Sequence, residues 1–114
     1  MVHEKLSGEI VGAAMTVLNE LKPGLHEKLY ERALIMELET RGHAVEQQRQ
    51  FPVSYRGHPI GILVPDLIVD GVVLADTKVV SAFTSDNIAQ MAGYLAITKL
   101  HLAILLNFHK ATLQ

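Results

Sequence analysis

Between His3 and Leu21 the apolar residues Leu6, Ile10, Ala13, Ala14, Val17, Leu18 and Leu21 recur at steps of three and four. That spacing gathers them on one face of an α-helix. Pro23-Gly24 ends the segment, and the pattern resumes over about residues 25–40 with Leu29, Ala33, Leu34 and Leu38 turned inward. Arg41-Gly42 then offers a basic last turn and a left-handed cap, so the two segments read as a helical hairpin.

After Ala44 the period changes to two. Val45, Gln47 and Arg49 alternate with Glu46, Gln48 and Gln50 in a polar strand running to Tyr55. Such a strand, with Pro52 in it, belongs at a sheet edge. Residues 56–59 form a turn, and two apolar strands follow over 60–69 and 72–80, joined at Asp70-Gly71. Asp86-Asn87 can cap a third helix over 88–98, with Ile88, Met91, Ala92, Leu95 and Ile97 available for burial. A final strand over 101–108 is apolar on both faces, which predicts an interior position covered on both sides. The order α-α-β-β-β-α-β predicts a mixed α/β (α+β) fold with helices flanking one sheet.

Composition adds limits. The 114 residues, 49% apolar and 19% charged, suit one domain spanning 1–114. The absence of cysteine removes disulfides, thiolate zinc sites and thiol nucleophiles. No apolar run approaches the roughly 20 residues of a membrane span, and the expectation is a cytoplasmic protein with no membrane partner. A net charge of −2 argues against a broad basic surface for duplex nucleic acid. An acidic site whose bound cations restore positive charge remains compatible with it.

The candidate chemistry lies in the two apolar strands, where Asp66, Asp76 and Lys78 interrupt valines, leucines and isoleucines. Charged groups are rarely buried in strands without a partner. Asp76 and Lys78 are two apart and leave one face of their strand. A two-residue turn at Asp70-Gly71 would send Asp66 to the opposite face, whereas a three-residue loop, 69–71, pairs Ile68 with Val72 and Asp66 with Leu74 and unites the trio. The second register is the expected one. Two carboxylates then offer hard oxygen ligands suited to Mg²⁺ or Mn²⁺, with Lys78 placed to act on water or on phosphate charge. Asp70 reads as a turn residue, and Ser81, Thr84 and Ser85 as loop or cap residues. The six histidines make no i, i+4 pair on a helix, so no zinc site is expected. Arg49, Arg56, Lys99 and Lys110 could contact a phosphate backbone, although scattered surface charges usually serve only solvation.

Three stretches carry a family resemblance. Gly24-Leu25-His26-Glu27-Lys28-Leu29-Tyr30 resembles the motif that names the GxxExxY proteins, and Pro65-Asp66 with Asp76-Thr77-Lys78 resembles the PD-(D/E)xK signature of the nuclease superfamily to which that group is assigned. Residues 90–95 and 105–108 are similar to the C-terminal half of the same family. The resemblance implies a restriction-endonuclease-like core, a four-stranded mixed sheet flanked by helices. It also implies a metal-dependent phosphodiester hydrolase acting on nucleic acid. Asp66, Asp76 and Glu27 would be ligands for Mg²⁺ or Mn²⁺, Lys78 the catalytic lysine and Gln90 a polar residue bordering the site, while Tyr30 and Tyr94 match motif positions. Asp76 stands where relatives more often carry the longer Glu, which bears on metal geometry. The alternative is a binding or assembly module of the same fold with weak or no catalysis. Its partner protein, or a second copy forming a homodimer, would add at the polar edge over 45–55.

Overall fold

The two helical stripes form α1 (Glu4–Leu21) and α2 (Glu27–Thr40) in a computed structural model that describes residues 3–110. Ile10, Ala13, Ala14, Val17 and Leu18 of α1 meet Tyr30, Leu34, Ile35 and Leu38 of α2 in the core. Leu21 and Leu29, expected inward, are exposed. The buried face of α2 is centred on residues 30, 31, 34, 35 and 38, which rotates Leu29 out and brings Tyr30 and Ile35 in. Gly42, at φ 90°, takes the left-handed turn after α2 that a side chain resists.

Both long strands expected in the middle of the chain are broken. The first splits into β1 (Val45–Gln47) and β2 (Phe51–Tyr55) around Gln48, whose φ is 55°. The second splits into β3 (His58–Leu63) and β4 (Leu67–Val69) across Val64-Pro65-Asp66. Pro65 has no N–H for a ladder, so a break there costs the sheet no hydrogen bond of its own. Because the two breaks lie side by side, β2 and β3 pair with each other and leave β1 to pair with β4. The β2–β3 hairpin closes on Arg56-Gly57, both left-handed at φ 50° and 80°, as a tight two-residue turn requires.

The main sheet has the order β1-β4-β5-β6, with β5 (Val73–Lys78) antiparallel to β4 and parallel to β6 (Leu102–Asn107). It is the four-stranded mixed sheet expected. The central places fall to β4 and β5; β6, expected in the interior, lies at an edge, although α1 and α3 (Ser85–Thr98) both contact it. Its two apolar faces record those two helices and not two strand neighbours. α3 starts earlier than expected because Thr84 caps it: Thr84 Oγ1 accepts from Asn87 N–H, and Asn87 Oδ1 accepts from Thr84 N–H. Met91 is buried, while Ile88, Ala92 and Ile97 face outward. Tyr30 stacks on Phe108 at 4.8 Å, which ties α2 to the chain beyond β6.

Candidate active site

The loop between β4 and β5 consists of Asp70-Gly71-Val72, closed by Val72 N–H on Val69 O at 3.1 Å. Asp70 and Gly71 are left-handed, at φ 53° and 72°. The Asp70 carboxylate accepts from Ala44 N–H at 2.8 Å and meets His43 Nδ1 at 2.7 Å, so its work is to fasten the turn to the start of β1. Val69 pairs with Val73, Ile68 with Leu74 and Leu67 with Ala75. Asp66 directly precedes β4, and the same register carried one step further sets it opposite Asp76. The expected pairing with Leu74 is therefore displaced by two residues. A displacement of two preserves the face, and Asp66, Asp76 and Lys78 still point together. The alternate residues Leu67, Val69, Val73 and Ala75 face α1 and α2 in the core.

Asp76 is 3% exposed, hydrogen-bonds Asp66 and lies with Oδ2 3.4 Å from Lys78 Nζ. Burial first, then the Asp66 carboxylate, pushes its pKa up to about 8 against the pull of Lys78. At neutral pH Asp76 thus holds its proton. Burial works against the charge on Lys78, but Asp76, Glu27 and Asp66 outweigh it and hold the lysine above its ordinary pKa. It is an ammonium at any physiological pH.

Glu27 is the first residue of α2 and feels this group. Burial raises its pKa, Lys78 opposes that rise, and Asp66 and Glu31 add to it. Its placement comes from the loop before it. Gly24 sits at φ 112°, a conformation costly for any side chain, and the Tyr30 hydroxyl accepts from Leu25 N–H at 3.0 Å while donating to Lys22 O at 2.7 Å. Gly24 and Tyr30 therefore shape and fasten the turn that delivers Glu27. Tyr30 itself is buried and far into the core.

From α3, Gln90 Nε2 donates to the Tyr94 hydroxyl at 3.0 Å. Burial, and after it Asp76 and Asp66, raise the Tyr94 pKa, so the phenol stands within the field of the two aspartates. Gln90 borders the group through Tyr94. Two residues of this neighbourhood escaped the sequence reading as site residues. Glu31, one turn after Glu27, is buried with Lys28 Nζ at 3.3 Å. Asn107, paired in register with Lys78, is buried and anchors the chain after β5, accepting from Val80 N–H and donating to Val80 O. The i, i+4 spacing of two glutamates and a lone amide ending an apolar strand were the available signals.

A cavity of about 310 Å³ opens beside Asp66, walled by Lys28 and Glu31 of α2, by Gln48 and Gln50, and by Val64 and Pro65. A hollow of about 360 Å³ between α1 and α2 holds none of these site residues.

A model of the PD-(D/E)XK nuclease superfamily matches residues 4–114. The chain belongs to that superfamily. Searches among curated proteins and among solved structures each returned no match. PD-(D/E)XK nucleases generally depend on a divalent metal, and membership implies interaction with nucleic acid. No described helix is long and apolar enough to cross a membrane. Among the described residues no group of three or more His, Cys, Asp or Glu side chains is gathered closely enough to hold a metal ion. Asp66 and Asp76 supply two adjoining oxygen donors, a set that fits a hard cation taking its other ligands from water and phosphate. The proton held by Asp76 stands in for the positive charge such a cation brings.

Proposed function

We propose that this chain hydrolyses phosphodiester bonds in nucleic acid at Asp66, Asp76 and Lys78, with Mg²⁺ or Mn²⁺ held by the two aspartates and approached by Glu27. The carrying observation is the contact of two carboxylates, one of them almost fully buried, beside a charged lysine. Such an arrangement is costly without a cation and points to a site built for one. When bound, the metal supplies Lewis acidity and a more acidic water. The raised pKa of Lys78 assigns it to neutralising charge on phosphorus oxygens rather than to removing a proton from water. The Gln90–Tyr94 pair gives the site a polar wall that can orient water or phosphate. The turn fastened by Gly24 and Tyr30 gives the GxxExxY resemblance a physical content, since it sets Glu27 within the field of Lys78 and Asp66.

Purified protein incubated with single- and double-stranded DNA and RNA under Mg²⁺ or Mn²⁺ should cleave. Asp66→Ala, Asp76→Ala and Lys78→Ala should each slow cleavage by about a hundredfold or more. Equal cleavage by wild type and variants would identify a contaminant. The absence of a gathered third ligand among the described residues favours a second reading, a nuclease fold kept for binding or assembly. Calorimetric titration with Mn²⁺ separates the two: heat lost on Asp76→Ala supports the hydrolase, and no heat from the wild type supports the module.

A further inference from the structure

We propose that the β2–β3 hairpin grips single-stranded nucleic acid, with a base stacked on Tyr55 and a phosphate held by Arg56. The nature of the polymer rests on the nuclease reading above, and the experiment is arranged so that the two fail separately.

Charge gives the first argument. Residues 47–65 contain Arg49, Arg56 and His58 and no Asp or Glu, in a chain whose net charge is −2. Eight of the ten Lys and Arg residues lie elsewhere, but there they are mixed with the acidic residues, whereas the stretch that stands outside the main sheet has none and is locally positive. The arrangement of these side chains gives the second. The Arg49 guanidinium lies 4.9 Å from the centre of the Phe51 ring, and that of Arg56 lies 5.2 Å from the centre of Tyr55. Arg49 also reaches Glu46 at 3.5 Å, whereas Arg56 has no acidic partner among the described residues. Tyr55 is 59% exposed, so most of its surface is open to a ligand.

The number of cations decides between duplex and single strand. A duplex grip draws on six to ten phosphate contacts, far beyond two arginines, while a single strand is held by aromatic stacking aided by a few cations. The base of the hairpin leads to the catalytic group, because Gln48, Gln50 and Val64 wall the cavity that ends on Asp66. A strand held at Tyr55 is directed toward the aspartates. The exposed Ile60 and Ile62 on β3 would also suit a second copy of this chain, an occupant that the same experiment detects.

Fluorescence anisotropy with a short labelled single-stranded oligonucleotide, and with its duplex, is measured in EDTA so that cleavage cannot intervene. Wild type should prefer the single strand. Tyr55→Ala should weaken binding about tenfold and Tyr55→Phe should restore it, as stacking requires. Arg56→Asn suits the left-handed backbone at φ 50°, so its effect is not one of turn strain. It should lower the slope of log affinity against log salt by about 0.7. Arg32→Gln, the same charge change on the exposed side of α2, should leave binding unchanged. Three results would overturn the proposal: no binding by wild type, binding indifferent to Tyr55→Ala and Arg56→Asn, or a dimer in sedimentation velocity that Ile62→Lys dissociates. Binding that depends on the hairpin without any cleavage under Mg²⁺ would sink the hydrolase reading and leave this one standing.

Discussion

Burying Asp76 against Asp66 makes the metal-free fold sensitive to pH through one side chain. Its ordinary pKa is 3.8 and its folded value about 8, so between those values the native state holds a proton that the unfolded chain has released. Stability must therefore fall as pH rises through that window and level off above it, by an amount on the order of a few kcal/mol. His43, whose pKa is raised chiefly by its hydrogen bond to Asp70, adds a loss in the same direction, since its contribution is complete below 6.5 and vanishes as pH climbs past its folded pKa. The two are separated by mutation. Asp76→Asn should stabilise the protein near pH 8 in EDTA and flatten most of the slope seen in urea unfolding from pH 5 to pH 8. An unchanged slope in that variant would mean that Asp76 titrates normally. On the proposed hydrolase reading Mn²⁺ would displace the same proton, so its affinity should drop as pH falls below about 8. The residue types were legible in the sequence, but their burial was not, because exposure depends on what other elements lay over them.

At the level of elements, the α1–α2 turn and the β4–β5 loop decide whether the site assembles. Tyr30→Phe keeps the ring stacked on Phe108 and removes both hydroxyl hydrogen bonds that fasten the turn. It should cost about 1–3 kcal/mol, read as a lower midpoint in thermal unfolding, and should slow cleavage about tenfold by loosening Glu27. A lower midpoint with an unchanged cleavage rate would confine Tyr30 to the fold. The strand pair illustrates what alternation alone can tell. Period two fixes which residues share a face, so Asp66 stays on the side of Asp76 and Lys78 although the loop begins one residue later than expected. It does not fix the partner across the ladder, which the turn selects.

Across the whole molecule, the β2–β3 hairpin is an insertion between strands that already pair. Gln47 lies opposite Leu67, and so Asn-Gly in place of residues 49–64 leaves a short loop joining β1 to β4. That protein should still unfold cooperatively in guanidinium and should lose affinity for a single strand. Loss of cooperative folding would show the hairpin to be part of the core. The amino-acid sequence alone determined the helices, the apolar strands, the turn at Asp70-Gly71 and the shared face of the three charged residues, because these follow from local periodicity and backbone preference. Tertiary structure alone decided that two long strands break together into sheet and hairpin, that β6 lies at an edge under two helices, and that Asp76 is sealed from water. Those outcomes depend on which distant segments pack together, and contacts between residues far apart along the chain leave no period in it to read.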